Sequence, residues 1–221
     1  MIRQQFSHLP EIVKNLLIIN GLFFLATWAL QNQGIDLTKI FALHQFQSAD
    51  FKPHQLITHM FMHADFTHLL FNMFALWMFG KTLENMWGGK RFLTYYMITG
   101  FGAALIYVGY IQFQIHDISS NMSLIQMESI NQNKIIIDNV VVPTTYEMKK
   151  LYSLINIPML GASGAVYGLL LAFGMLFPNS LIYLYFAIPV KAKYFVGGIG
   201  VLALISGVGN NPADNVAHFA H

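Results

Sequence analysis

Residues 92–115 hold no charged side chain. A helix of about 20 mostly apolar residues is enough to cross the hydrocarbon core of a bilayer. Four other stretches share this character. Residues 12–30 carry Lys14 and Asn15 only near one edge, and residues 66–83 hold His68 and Asn72. Residues 154–177 end at Pro178 and Asn179, and residues 192–208 include three closely spaced glycines. A sixth stretch, residues 212–221, has barely begun when the chain stops at His221. The first stretch is too long for a signal-peptide core and no small-x-small cleavage site follows it, so it reads as a retained span.

Composition agrees. Hydrophobic residues make up 55% of the 221 and charged residues only 10%, against about 25% charged in soluble domains. Too few charges remain to build a water-soluble surface, and disorder is excluded by the same figures. A net charge of +2 forms no basic stripe, which argues against a nucleic-acid partner. The absence of cysteine rules out disulfides, a cysteine nucleophile and thiolate metal sites. The expectation is an all-α polytopic membrane protein, one membrane domain over residues 1–221. Its six spans are 12–30, 66–83, 92–115, 154–177, 192–208 and the incomplete 212–221.

Two connections are long, residues 31–65 and 116–150. The second contains Ile135-Ile136-Ile137 and Val140-Val141-Val142 around Asp138-Asn139, a pattern that suggests a small hairpin. With a cytoplasmic N-terminus, the inner side holds seven basic and two acidic residues and the outer side five basic and eight acidic. That bias has the sign expected of an N-in topology, and both long connections then face outward.

Polar side chains within spans are costly and therefore point to function. His68 and Asn72 lie four apart on one helix face, and His59 and His63 precede them at the same spacing. The fourth span contains Gly161-Ala162-Ser163-Gly164, with Tyr167 four residues after Ser163. Gly164 and Gly168 form a small-xxx-small pair that lets another helix approach closely. The sixth span contains Ala217-His218-Phe219-Ala220-His221. A donor pair, a hydroxyl between glycines and an imidazole are the groups that acyl transfer needs. A zinc site is the rival reading of His59 and His63, but the glutamate of His-Glu-x-x-His is missing. Asp214 reads as a loop aspartate capping the sixth span.

Taken in order, these motifs resemble the rhomboid intramembrane serine proteases, over nearly the whole chain. The resemblance implies a rhomboid-like six-helix bundle with a water-filled cavity open to the outside. It implies a serine endopeptidase that cleaves transmembrane segments in the lipid bilayer with a Ser-His dyad, without metal or cofactor. Ser163 matches the nucleophile, and Tyr167 the aromatic platform for the catalytic imidazole. His68, Asn72 and the Ser163 N–H match the oxyanion hole, and His63 a structural histidine tying the first outer loop to the bundle. The family often carries Trp-Arg before these histidines, where this chain reads Pro53-His54-Gln55. Its Ala-His-x-x-Gly pattern favours His221 as base, because the glycine required after His218 would fall at position 221, a histidine. His218, one turn earlier, is the alternative base or a structural neighbour. A chain ending at His221 reads as a fragment whose sixth span continues. An inactive rhomboid-like scaffold that binds membrane helices is the non-enzyme alternative. A bacterial inner membrane is the expected location. The glycine-rich fifth span is the expected yielding wall for substrate.

Overall fold

The computed structural model describes residues 9–120, 136–137, 140–141, 146–184 and 188–208. The fold is mostly helical. Helix α1 covers Glu11–Gln31, and short helices α2, Leu37–Phe41, and α3, Gln55–Thr58, follow, with a 3-10 turn at His59–Phe61. Helix α4, Phe66–Ala75, continues through a π turn at Leu76–Gly80 into α5, Lys81–Trp87. Helix α6 spans Gly89–Ser120, α7 Tyr146–Asn156, α8 Ser163–Leu176 and α9 Ala192–Val208. Two antiparallel hairpins complete it. Strand β1, Ile136–Ile137, pairs with β2, Val140–Val141, within the expected hairpin. Strand β3, Leu181–Leu184, pairs with β4, Ile188–Lys191.

Two helices, α1 and α6, are each long and apolar enough to cross a membrane, while α8 is a shorter apolar helix. The expected fourth span, residues 154–177, is therefore corrected: it is broken between α7 and α8. Pro158 disfavours helix at Ile157, and Gly161 adopts φ +123°, outside the helical region. The connections are also less bare than expected. Helix α6 runs past residue 115 to Ser120, and α7 begins at Tyr146. The β3–β4 hairpin was not foreseen, and its presence means the fold is not purely α. Residues 212–221, the sixth span, lie outside the described residues.

Bundle packing depends on backbones approaching closely. A Cβ on Gly168 would come within 2.6 Å of the Thr99 side chain, so α8 lies directly against α6. Gly100 faces the Met60 side chain and Ala165, and Gly80 faces Val13 and Phe92. Between spans, where lipid is as apolar as the protein, such contacts and interhelical hydrogen bonds supply the association energy. One such bond runs from the Tyr95 hydroxyl to the Gly168 carbonyl, 2.9 Å. The main core joins Val13, Leu76, Phe79, Leu83, Phe92 and Leu169 among others.

Helix α1 begins with orphan N–H groups, and Pro10 caps none of them with a side chain. The cap comes from elsewhere. The buried Glu84 carboxylate accepts from Ile12 N at 2.9 Å and Val13 N at 2.8 Å. An anion at a helix N-terminus is favoured by the helix dipole as well. This fastens the start of α1 to the end of α5. Replacing Glu84 by alanine should lower stability by about 1–3 kcal/mol, since two buried donors lose their acceptor. Thermal melts in detergent should rank wild type above Glu84→Gln, which keeps one acceptor, and Glu84→Gln above Glu84→Ala.

Candidate active site

Ser163 opens α8, so its backbone N–H is among those without an intrahelical acceptor. The chain reaches it through an extended stretch fastened at two points. Leu43 and Met159 exchange both backbone hydrogen bonds, each 2.8 Å. Two residues on, Gly161 N donates to His59 O at 2.9 Å. The loop of residues 31–65 thus aligns the approach to Ser163.

That loop is organised by Gln55, which is fully buried. Its Oε1 accepts from His44 N at 3.3 Å and Lys52 N at 3.1 Å. Its Nε2 donates to the carbonyls of Lys39, Ile40 and Asp50 at 3.1, 3.3 and 2.8 Å. The Gln55 carbonyl accepts from His59 Nδ1 at 2.9 Å, and His54 Nε2 donates to Ile40 O at 2.7 Å. Pro53-His54-Gln55, where Trp-Arg was the family pattern, therefore anchors the loop by other hydrogen bonds. The signal in the sequence was a lone amide beside the apolar pair Leu56-Ile57.

His68 lies in the first turn of α4, where Asp65 caps the helix by accepting from His68 N at 2.8 Å. The buried Asn72 follows one turn later and donates through Nδ2 to His68 O at 2.9 Å. An amide nitrogen carries two hydrogens, so one remains for another acceptor. The position a Cβ would take on Gly161 is 2.9 Å from His68 Nε2 and 3.7 Å from Ser163 Oγ. That position is too close to the imidazole for a methyl group, so only glycine lets His68 pack against this backbone beside Ser163, and the φ of +123° favours glycine independently. Tyr167 sits half-buried one turn beyond Ser163 on α8, and Gly164 is buried beside it. The structure thus brings together His68, Gly161 and Ser163, with Asn72 tied to His68. His218 and His221 lie outside the described residues.

His63 is buried, its ring edge-on to His68 with centroids 5.1 Å apart. Neither ring nitrogen has a hydrogen-bond partner among the described residues. The zinc reading of His59 and His63 required both on one α-helical face. Instead His59 opens a 3-10 turn, the backbone is extended at Met62, and His59 Nδ1 is occupied by Gln55 O.

A helical bundle in which an imidazole packs on a glycine beside a serine hydroxyl defines a membrane protein with a candidate hydrolytic site. The Rhomboid domain family matches residues 50–221, and the chain belongs to that family. It is 26% identical over 202 residues to Rhomboid-like protein 16, chloroplastic, of Arabidopsis thaliana, covering 90% of this chain and 55% of that protein. It is 28% identical over 204 residues to RHOMBOID-like protein 12, mitochondrial, of the same plant, covering 90% and 52%. A stretch of 46 residues, 21% of this chain and 23% of the relative, is 48% identical to putative rhomboid protease YdcA of Bacillus subtilis. The chain spans about half the length of the first two. Relatives named for two organelles stand beside a bacterial one, so they do not support the expected bacterial inner membrane.

Two outcomes follow from this geometry. Gly161→Ala should lower stability by about 1–3 kcal/mol, because a methyl group 2.8 Å from the His68 ring forces a shift and alanine is strained at a φ of +123°. Thermal melts in detergent check this. Burial lowers the rings of His59 and His63 from an ordinary 6.5 to about 4, and the neighbouring His68 adds to the effect at His63. Between about pH 6.5 and 4 the unfolded chain then binds protons that the folded one refuses, so stability falls as pH falls. Unfolding measured across that window should show the decline, and His63→Phe should make it shallower.

Proposed function

We propose that this chain is an intramembrane serine endopeptidase that cleaves transmembrane segments of membrane proteins. The observation that carries the reading is that His68 and Ser163 meet beside Gly161, His68 Nε2 lying 2.9 Å and Ser163 Oγ 3.7 Å from the position a Cβ would take there. A hydroxyl and an imidazole held beside one stretch of backbone are groups that acyl transfer needs.

In this mechanism Ser163 Oγ attacks the carbonyl carbon and gives its proton to the imidazole of His221, with Tyr167 as that ring's platform. His218 is the alternative base. The carbonyl oxygen becomes an oxyanion that accepts from His68, Asn72 and the Ser163 N–H. The imidazolium then protonates the leaving amine and an acyl-enzyme forms. Water, deprotonated by the same imidazole, releases the second product. A dyad is sufficient where packing holds the base. His63, against His68, keeps the loop and the donor in register.

Substrates are segments that can unwind at the cut, since a scissile bond within an intact helix is shielded by its own hydrogen bonds. Small and helix-breaking residues near the cleavage point serve this. The outer part of α9 supports sideways admission: positions 197, 198 and 200 are glycines with nothing among the described residues within 4 Å of a Cβ, and Leu202 and Ile205 are exposed. The N-terminal end of α1 lies on the Lys/Arg-rich side, the side expected in the cytoplasm.

Ser163→Ala should reduce cleavage of a transmembrane substrate below about a thousandth of wild type. A serine-directed covalent probe should label wild type at Ser163 and leave the variant unlabelled. His68→Ala and Asn72→Ala should each lower kcat by roughly 10²-fold with smaller effects on KM. Folded protein with neither labelling nor cleavage would instead identify an inactive scaffold.

A further inference from the structure

The β3–β4 hairpin lies at the end of the bundle opposite the candidate site. Helix α8 runs away from Ser163 to Leu176, and the hairpin follows within a few residues. It is fastened there by Ala192 N to Ser180 O, 2.8 Å, and Lys193 N to Pro178 O, 3.1 Å. The start of α1, held by Glu84, and the α5–α6 turn are at the same end. The exposed charges on these segments are Lys14, Lys90, Arg91, Lys191 and Lys193, against Glu11.

Strand alternation divides the hairpin into two faces. The register pairs Leu181 with Lys191, Ile182 with Val190 and Tyr183 with Pro189. Ile182 is buried in the main core. The opposite face presents Leu181 and Tyr183, 51% and 58% exposed, beside Lys191. Ile188 near the tip and Tyr194 just beyond Lys193 are exposed too, and Lys193 Nζ stands 5.1 Å from the Tyr194 ring centroid.

These properties fit one environment. A two-stranded sheet leaves backbone groups on its open edges, which hydrocarbon cannot satisfy. Its outward side chains are too apolar to favour bulk water. The headgroup layer offers both hydrogen-bonding groups and apolar cover, and it is where tyrosine rings concentrate. Lysines there reach anionic phosphates while their stems stay in the apolar zone. We infer that the β3–β4 hairpin is an interfacial lipid-binding element, immersed through Leu181 and Tyr183, that takes anionic lipid headgroups on Lys191 and Lys193. The inner end of α9 is thereby anchored to the bilayer surface while its glycine-rich continuation is not.

The chain has no cysteine, so single nitroxide labels can be placed cleanly. Leu181→Cys and Tyr183→Cys would be labelled in the full chain and reconstituted in nanodiscs of phosphatidylcholine alone or with a third phosphatidylglycerol. Lys52→Cys in the opposite loop serves as the aqueous reference. Both labels should collide more with oxygen than with a water-soluble nickel chelate, the reverse of the reference. Immersion should deepen with phosphatidylglycerol, and Lys191→Gln with Lys193→Gln should abolish that shift while leaving basal immersion. Labels that behave like the reference would place the hairpin in water and overturn the proposal. Labels shielded from both reagents would mean a protein-covered face and would overturn it equally. Immersion indifferent to phosphatidylglycerol would overturn the headgroup assignment. Free inorganic phosphate added to phosphatidylcholine discs should not reproduce the shift; if it did, the site would be one for soluble phosphate and not for lipid.

Discussion

Residues 157–162 are non-helical backbone inside a helical membrane protein, and such backbone is tolerated only where protein satisfies its polar groups. The Leu43–Met159 exchange and the Gly161–His59 bond do this. Because both partners belong to the 31–65 loop, the loop, the chain entering α8 and the placement of Ser163 form one unit. Gln55 holds the loop that supplies the partners, and Asp65 starts the helix that carries His68 toward the same point. The candidate site is thus an outcome of satisfying backbone groups as much as of bringing side chains together.

A second constraint runs through the bundle. Without a hydrophobic force between spans, the helices are held by close contact and hydrogen bonds. Gly168 against Thr99, Gly100 against Met60 and Ala165, Gly174 against Val196, and Gly80 against Val13 and Phe92 are close approaches of this kind. At the far end the Glu84 carboxylate closes α1 onto α5. One end of the molecule is therefore braced by a buried anion on helix N–H groups, and the other by backbone pairing between a loop and a strand-like segment. Helix α9 is attached at its inner end through β4 and by Val196 against Gly174 of α8.

Much of this was legible in the chain. Long uncharged runs located α1, the α4–α5 continuum, α6 and α9 because hydrocarbon admits few alternatives. The i, i+4 spacing placed His68 and Asn72 on adjoining turns of α4. What escaped notice has identifiable causes. The break before Ser163 lay within an apolar run, and hydropathy does not register a φ of +123°. Gln55 looked like an ordinary loop amide, since its five hydrogen bonds join backbone groups scattered from Lys39 to Lys52. The β3–β4 hairpin was hidden because its apolar and lysine residues resemble the flank of a span. The i, i+4 spacing of His59 and His63 does not put them on one face, because residues four apart share a face only in an α-helix and a 3-10 turn ends between them.

The sequence by itself determined the solvent in which this protein folds, the class of its helices and the residue types available for chemistry, because those follow from local composition and period. Only the tertiary structure decided that His68 and Ser163 meet beside Gly161, that Gly161 must be glycine for His68 to pack there, and that a glutamate within one helix caps the start of another. These depend on groups far apart in the chain meeting at distances of a few ångströms. Nothing in local hydropathy or periodicity encodes which backbone amide will need a partner, or where that partner will come from.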